Sequence, residues 1–305
     1  MEHITDSLKT FLKAQNELIK QLALAGYQPD PIANRASLEL LTQTYVTTAP
    51  SLDLTKKISY KDIPLKIYHP EHEKKLPVFL YLHGGGHMSG SIDVYDKILT
   101  KLAFHTGNIV VAVDYKLAPE HPFPSGLNDC KLILKNMWNI LNQEGINYEK
   151  SLTLGGDSAG GALSSTICHT ELVELVDKLV LIYPSLDYTL SCDSIQDLGK
   201  NYLLETHYIK WLFDNYFQNN ENRYDESPLF RNIPENYPDT LIITAGFDPL
   251  KSEGIKYFEK LEEAKVDVKH IHFPGMIHAF LNLENLVKNQ CDKLYNDIGL
   301  FLKES

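Results

Sequence analysis

One short segment of this 305-residue chain has the residue types and the spacing of an activated serine nucleophile. Residues 156–161 read Gly-Asp-Ser-Ala-Gly-Gly, so Ser158 is the centre of a Gly-x-Ser-x-Gly motif that follows an apolar run and precedes an apolar helical stretch. In a nucleophile elbow, a strained turn between a strand and a helix, small flanking residues avoid clashes and the serine hydroxyl is exposed above the sheet. Alone, the motif is equally well explained by a glycine-rich turn that contains a serine by chance, so its surroundings decide.

A second glycine-rich segment lies upstream and begins where another apolar run ends. It reads His83-Gly84-Gly85-Gly86, the type of loop that supplies backbone N–H groups to the developing oxyanion in acyl transfer. Side chains in such a loop would block the approach of the carbonyl oxygen. We expect the N–H groups of Gly85, Gly86 and Ala159 to form an oxyanion hole, and His83 and Gly84 to support the loop.

A serine hydroxyl needs an adjacent base, and the base needs a third group that orients it. Asp248 and His278 each follow a predicted strand, at 240–244 and 268–273, and carboxyl ends of parallel strands form the edge of a sheet where active sites occur. The serine therefore predicts a catalytic triad with Asp248 as the acid and His278 as the base. Glu253, the rival acid, lies one helical turn further on and is predicted to support the loop instead.

The elements that must position these residues alternate along the chain. Short apolar runs typical of buried strands are separated by longer stretches with helical periodicity. Such alternation predicts a doubly wound α/β domain, a mainly parallel sheet covered by helices on both faces. The predicted strands are 78–82, 109–113, 152–154, 179–183, 241–244 and 268–273, and the predicted helices are 95–105, 127–141, 159–170, 252–264 and 284–302.

Two regions depart from this alternation. The N-terminal region has helical periodicity before any strand signal, and a polar and aromatic insertion separates two strands. Insertions of that length are more often functional than idle. We expect a single domain over 1–305, with a cap built from about 1–50 and about 185–237. The predicted elements outside the alternation are helices at 4–25 and 33–45, a hairpin at 57–60 and 63–68, and an aromatic-rich helix at 206–217.

Composition narrows the classes of partner. The chain is 43% apolar and carries a formal net charge of −11 without a basic run, which argues against nucleic acid as a partner. The first residues lack a signal-peptide pattern and no apolar stretch approaches the roughly 18 residues of a membrane span, so we expect a cytoplasmic protein without stable membrane insertion. A homo-oligomer remains possible. The scattered cysteines lack zinc spacing and are predicted to be reduced, without a metal; they are Cys130, Cys168, Cys192 and Cys291.

Four passages together resemble the bacterial hormone-sensitive-lipase-like family of esterases and lipases. They are His83 to Gly86, the run Tyr-Lys-Leu-Ala-Pro-Glu-His-Pro-Phe-Pro at 115–124, the segment 156–161, and Asp-Pro-Leu at 248–250. The resemblance implies an α/β-hydrolase fold with a mainly parallel eight-stranded sheet and a mostly helical cap. It also implies no cofactor, and hydrolysis of carboxylic esters, often with short to medium acyl chains, as small-molecule substrates.

The chain departs from the family pattern at a few positions. Lys116 stands where arginine is usual, Ser252 where aspartate is common, and His87 where an aromatic or small residue is typical. None of these belongs to the predicted triad. His270 and His272 alternate with apolar residues inside a predicted strand, and we interpret them as structural.

Three other functions remain open at this stage. The same triad serves amidases and peptidases, and the fold does not choose between them. A catalytically silent small-molecule receptor could share the fold, but the presence of serine, acid, histidine and both glycine-rich loops argues against it. The aromatic segment could contact lipid aggregates, as in a true lipase, although apolar residues at helical spacing more often pack in a core.

Overall fold

The computed structural model describes residues 3–304. Its centre is one eight-stranded sheet with the order β1-β2-β4-β3-β5-β6-β7-β8. Pairing is parallel from β4 through β8, whereas β2 runs antiparallel to both of its neighbours. The mainly parallel sheet of the sequence prediction is confirmed. The strands are β1 Leu54–Tyr60, β2 Ile63–His69, β3 Leu76–Leu82, β4 Ile109–Val113, β5 Tyr148–Asp157, β6 Lys178–Ile182, β7 Asp239–Phe247 and β8 Val268–Ile277.

Helices cover both faces of the sheet. Alternate residues of β3 enter opposite apolar clusters: Leu80 packs with α4, α5 and α9, and Phe79 packs with α3 and α10. This explains why the central strands are apolar throughout. The helices are α1 Asp6–Leu24, α2 Pro31–Tyr45, α3 Ile92–Thr106, α4 Ser125–Gln143, α5 Ala159–Cys168, α6 Ser194–Asp197, α7 Thr206–Tyr216, α8 Arg223–Glu226, α9 Lys251–Glu263 and α10 Lys288–Lys303, with 3₁₀ turns at Glu171–Leu175, Pro228–Phe230 and Phe280–Leu286.

Helix α2 starts two residues earlier than predicted. The sequence pattern predicts a start at residue 33, but Pro31 is the first residue of the helix. The Asp30 carboxylate accepts hydrogen bonds from the N–H groups of Ile32 at 2.9 Å and Ala33 at 3.0 Å. Proline suits the first helical position because its missing N–H has no partner there, so the Asp-Pro pair starts the helix rather than breaking the chain.

Several strands are longer than their apolar runs, among them β5 and β8. β5 begins at Tyr148, four residues before the predicted start. Residues 148–151 are partly or fully exposed and form no apolar run, so the sequence pattern does not show that they belong to the strand. β8 continues through a Pro-Gly pair to Ile277, four residues beyond its predicted end at residue 273. An irregularity in β7 after Ala245 lets Phe247 pair with Ile277. The residue after β8, His278, is therefore held by the sheet itself.

Helix α2 and the aromatic helix α7 are buried to very different extents. Helix α7 buries Ile209, Leu212, Phe213 and Tyr216 in a cluster with Met88 and Leu250, so its aromatic stripe is core rather than an exposed surface. Helix α2 fully buries one residue, Thr42. Within residues 3–304, no helix combines the length and apolar character that crossing a membrane requires.

Candidate active site

The serine predicted to be the nucleophile lies at the sharp turn between β5 and α5. Ser158 has φ 52° and ψ −118°, a strained backbone conformation for a residue with a side chain. A Cβ atom at Gly156 would lie 2.1 Å from the carbonyl oxygen of Leu82, and one at Gly160 would lie 1.9 Å from the same oxygen. Both glycines are therefore required for β3 to approach the turn, as the motif predicts.

Serine, histidine and aspartate are in hydrogen-bond contact at this edge of the sheet. Ser158 Oγ lies 2.9 Å from His278 Nε2, and His278 Nδ1 lies 2.8 Å from Asp248 Oδ2. The other carboxylate oxygen of Asp248 accepts a hydrogen bond from the N–H of Leu250 at 2.8 Å. The Tyr183 ring packs edge-on against the imidazole at 4.9 Å. This geometry can deprotonate a hydroxyl and hold the imidazole in one orientation.

The rival carboxylate, Glu253, has a different environment. Its Oε1 atom accepts hydrogen bonds from the N–H groups of Leu186 at 2.6 Å and Asp187 at 3.3 Å, in the loop that follows β6. Complete burial raises the pKa of Glu253 well above its ordinary value, which favours the neutral acid. Glu253 thus supports a loop, and Asp248 is the carboxylate next to His278.

The glycine-rich loop is anchored to the nucleophile segment by a buried carboxylate. Asp157 Oδ1 accepts hydrogen bonds from the Gly84 N–H at 2.8 Å and the Tyr81 hydroxyl at 2.9 Å, and Oδ2 accepts one from Tyr95 at 2.9 Å. Burial raises the pKa of Asp157, and these donors counteract the shift by stabilising the charged form. No role for Asp157 was predicted from the sequence, although this residue lies inside the nucleophile motif.

A tight turn follows this anchor. The Gly85 carbonyl accepts hydrogen bonds from the N–H groups of Met88 at 3.2 Å and Ser89 at 2.9 Å. Gly85 has φ +121°, and a Cβ atom there would lie 2.2 Å from the Ser89 carbonyl oxygen, so only glycine fits. We call residues 85–89 the oxyanion turn. Gly85, Gly86 and Ala159 line the same cavity as Ser158.

His83 is placed to support this loop rather than to act as a base. Its Nδ1 atom is 2.8 Å from the Gly84 carbonyl oxygen, and its ring stacks on Tyr115 with 4.4 Å between centroids. The Tyr115 hydroxyl donates a hydrogen bond to the His83 carbonyl oxygen at 2.6 Å. Burial lowers the pKa of His83, which keeps the ring neutral.

His87 is a second buried histidine next to the site. His87 and its neighbour Met88 are both buried. The His87 ring stacks on Tyr216 of α7 with 3.8 Å between centroids, and its Nε2 atom lies 3.2 Å from the Tyr188 hydroxyl. Burial lowers the pKa of His87 to about 3, so the imidazole is neutral at physiological pH.

The cavity above Ser158 has a volume of about 380 Å³. Its lining combines polar groups of the sheet edge with N-terminal and insertion residues, which are apolar for the greater part and also include Asp30 and Glu205. Cavities of this size and character suit small organic ligands. The lining residues from outside the sheet edge include Ile19, Tyr27, Leu38, Leu204, Ile209 and Leu212.

Other clusters of chemically capable side chains are satisfied by the protein. Thr244 Oγ1 lies 2.8 Å from both His270 Nε2 and His272 Nδ1, in agreement with a structural role for these histidines. All four cysteines are free and buried. Cys192, Asp187 and Glu253 lie close together, but each Asp187 oxygen already accepts two hydrogen bonds, from Thr189 or Ser191. The Asp187 carboxylate therefore stabilises the loop at residues 187–191.

The sheet order, the strained elbow and the Ser-His-Asp contacts define the protein class as an α/β hydrolase. The sequence profile of the α/β hydrolase fold family matches residues 79–282, and the chain belongs to this family, among its hormone-sensitive-lipase-like esterases. It is 31% identical to an ethyl acetate hydrolase of Pseudomonas putida over 236 residues, 74% of each chain. It is 33% identical to carboxylesterase NlhH of Mycobacterium tuberculosis over 238 residues, 74% of this chain and 73% of the relative.

Similarity to solved structures extends over the whole molecule. An esterase of Pyrobaculum calidifontis superposes with a TM-score of 0.84 and 28% identity, covering 98% of both chains. The chain is a serine carboxylesterase, an enzyme that hydrolyses small carboxylic esters. The relatives thus favour ester hydrolysis over the amidase, peptidase and silent-receptor alternatives.

Proposed function

We propose that Ser158, His278 and Asp248 carry out this hydrolysis as a catalytic triad. Ser158 Oγ attacks the ester carbonyl carbon while its proton passes to His278 Nε2, which lies 2.9 Å away. Asp248 accepts the hydrogen bond of the Nδ1–H group and stabilises the imidazolium. Collapse of the tetrahedral intermediate breaks the bond to the alcohol, whose oxygen takes the proton from His278. Water then attacks the acyl-enzyme while His278 takes its proton. His278 returns this proton to Ser158 Oγ as the carboxylic acid is released.

The oxyanion of each tetrahedral intermediate would be held by the N–H groups of Gly85, Gly86 and Ala159. The fixed position of the oxyanion turn, which the Gly85 hydrogen bonds and the Gly84 contact with Asp157 maintain, supports this assignment. Ala159 contributes the first N–H group of α5, where the helix dipole is positive. One donor of this kind is typically worth about 3 kcal/mol of the barrier.

The preferred substrates would be esters with short to medium acyl chains. A cavity of about 380 Å³ with a largely apolar lining suits such molecules. Residues from about 1–50 and about 185–237 contribute to this lining and would act as a cap. The acidity of the chain, with a net charge of −11, disfavours anionic esters. We further propose a cytoplasmic location, since four free buried cysteines suit a reducing compartment.

The hydrogen bond between Ser158 Oγ and His278 Nε2 is the observation that carries the mechanism. It is tested by hydrolysis of p-nitrophenyl esters from acetate to palmitate, with the wild-type chain, Ser158→Ala and Ser59→Ala. Ser59 is exposed on β1, far along the chain from the site, and serves as the matched control. We expect turnover to be lost only in Ser158→Ala, and the wild type to prefer short and medium chains. If Ser158→Ala kept the turnover of the wild type, Ser158 would not be the nucleophile. If the wild type hydrolysed the palmitate ester fastest, the proposed preference for short and medium acyl chains would be wrong.

A further inference from the structure

Helix α2 docks through apolar contacts near its C-terminal end and through hydrogen bonds nearer its N-terminal end. Leu41 and Tyr45 are partly buried against the core, and the Tyr45 ring packs edge-on against Phe11 of α1. The only fully buried residue of α2 is Thr42, whose hydroxyl accepts a hydrogen bond from the Asn282 side chain at 3.0 Å. Leu40 is 67% exposed and Ile32 is 77% exposed. Because the apolar contacts of α2 lie near its C-terminal end, the position of its N-terminal half depends on the hydrogen bonds that this half makes.

Arg35 makes the densest set of these hydrogen bonds. Its Nε atom donates to the Met88 carbonyl oxygen at 2.8 Å, and Nη2 donates to the Ala118 carbonyl oxygen at 3.0 Å. The guanidinium also forms a two-point ion pair with Glu120, at 2.9 and 2.5 Å. One planar group thus joins α2 to the oxyanion turn and to the loop at 115–124.

The preceding residue contacts the same turn. Asn34 Nδ2 lies 2.6 Å from Ser89 Oγ, and the Asn34 side-chain oxygen accepts a hydrogen bond from the Tyr208 hydroxyl of α7. Two adjacent residues of α2 therefore hold two adjacent residues of the turn, Met88 and Ser89. Met88 and Ser89 are also the residues whose N–H groups close the turn onto Gly85.

This chain of contacts links α2 to the proposed oxyanion donors. A shift of Met88 or Ser89 would pull on the Gly85 carbonyl and so rotate the peptide groups of the turn, and a displacement of about 1 Å at a reacting centre can cost a hundredfold in rate. Arg35 is not among the residues that line the cavity, so it can affect the reaction only through its neighbours.

We propose that Arg35, assisted by Asn34, is a positioning residue that sets the geometry of the oxyanion hole from the N-terminal helix. The inference rests on the proposed function of Gly85 and Gly86. It means that α2 is more than a wall of the substrate cavity, because the catalytic turn adopts its working geometry only when the N-terminal half of α2, which carries Asn34 and Arg35, is docked.

The test compares Arg35→Lys with the wild type on p-nitrophenyl acetate, an ester with a very small acyl group. Lysine keeps the charge but lacks the planar fork that serves both carbonyl groups and Glu120 together. We expect kcat and kcat/KM to fall equally, by about tenfold, because the lost interaction acts in the transition state. The inhibition constant of a trifluoromethyl ketone, whose adduct with the serine places an oxyanion in the hole, should rise by a similar factor.

Two control variants separate positioning from general loosening. Glu120→Gln weakens the ion pair but keeps the donors to Met88 and Ala118, and Thr42→Val removes the contact with Asn282 at the other end of α2. We expect kcat within twofold of the wild type for both. If Arg35→Lys is poorly folded, Ser89→Ala cuts the Asn34 contact from the other side and should lower kcat about threefold.

The outcomes are distinct. An unchanged kcat in Arg35→Lys, a loss confined to KM, or an equal loss in Thr42→Val would each overturn the positioning role. The Ser158→Ala variant is measured first, and the Arg35 variants are compared once its loss of turnover is established. A wild-type activity that survives Ser158→Ala would instead refute the proposed mechanism, whatever Arg35→Lys shows.

Discussion

The elbow at the end of β5 and the N-terminal helices illustrate two ways of holding a residue near a substrate. Every residue of α5 is buried, and Gly160 packs directly on the backbone of β3. Residues 20–30 are largely exposed, and the N-terminal half of α2 is held by a few side-chain hydrogen bonds. The nucleophile is thus fixed by backbone packing, whereas residues 20–30 and the N-terminal half of α2 are held more weakly and can adjust. Substitutions should have steep effects in the first region and shallow effects in the second.

The largest expected effect separates the two buried carboxylates of the catalytic region. Asp248→Asn keeps the shape but favours the wrong imidazole tautomer, and a substitution of this kind in a serine protease triad lowers kcat about 10⁴-fold. Glu253→Gln replaces a carboxyl that burial keeps neutral, and its oxygen can still accept from Leu186. We expect Glu253→Gln to retain at least a third of wild-type kcat, measured with p-nitrophenyl acetate. Equal losses in the two variants would contradict the assignment of Asp248 as the acid.

A second pair of variants compares the packing of a central strand with the packing of helix α2. Leu80 is completely buried in β3, and Leu40 is 67% exposed on α2. Leu80→Ala should lower the free energy of unfolding by about 2–5 kcal/mol, because it removes buried methyl groups and leaves a cavity. Leu40→Ala should change it by less than about 0.5 kcal/mol. Urea unfolding measures both values, and a large effect of Leu40→Ala would mean that α2 packs more tightly than its contacts indicate.

The same contrast explains which parts of the fold could be predicted from the sequence. Buried parallel strands are apolar on both faces, so β3, β4 and β6 are recognisable as short apolar runs. The start of β5 is half-exposed, and the end of β8 contains proline and glycine, so neither carries a strand signal. These extensions depend on partners across the sheet, which local periodicity does not report.

The candidate site divides in a similar way. Ser158, Asp248 and His278 each lie at the end of a strand, next to a recognisable local motif, so the topology of the sheet brings them together. The contact between Arg35 and Met88 joins residues 53 positions apart and depends on how α2 docks. Nothing in the local pattern around Arg35 distinguishes it from an ordinary exposed arginine, and its role could not be found before the structure. The catalytic roles themselves stay predictions until the variants are measured.

A third prediction concerns pH, at the contact between the oxyanion turn and α7. His87 has a pKa of about 3 in the folded protein against an ordinary value of 6.5. As pH falls below 6.5, the unfolded chain takes up a proton at this position and the folded chain does not, so stability is lost towards acid. Between pH 7 and 5 this loss is about 2 kcal/mol, since each pH unit below 6.5 contributes about 1.4 kcal/mol.

His87→Phe should remove this loss while preserving the stack on Tyr216. Urea unfolding of both proteins at pH 7 and pH 5 measures it: the difference in unfolding free energy between variant and wild type should shift by about 2 kcal/mol in favour of phenylalanine at the lower pH. The value at pH 7 is the internal control, because the lost hydrogen bond to Tyr188 affects both conditions alike. A difference that does not change between pH 7 and pH 5 would show that His87 takes up a proton in the folded protein as readily as in the unfolded chain.

The smallest expected effect lies at the end of α1. Gly26 follows the helix with φ +74° and closes it through a hydrogen bond from its N–H to the Ala23 carbonyl oxygen at 3.1 Å. A Cβ atom at Gly26 would meet no atom within 4 Å, so Gly26→Ala carries only the backbone cost of a left-handed residue, about 1 kcal/mol. At Gly160 the same substitution would place a Cβ atom 1.9 Å from the backbone of Leu82.

We therefore expect Gly26→Ala to lower the unfolding free energy by at most about 1 kcal/mol and to leave kcat for p-nitrophenyl acetate within twofold of the wild type. Since Gly26 lies between α1 and α2, the strain should appear as faster amide hydrogen exchange at the end of α1, with the exchange of β3 and β5 unchanged. The contrary outcome is that Gly26→Ala reduces kcat as strongly as Arg35→Lys. That result would mean that α1 and α2 transmit strain to the oxyanion turn as one rigid body, and that the segment joining them does not adjust independently of the active site.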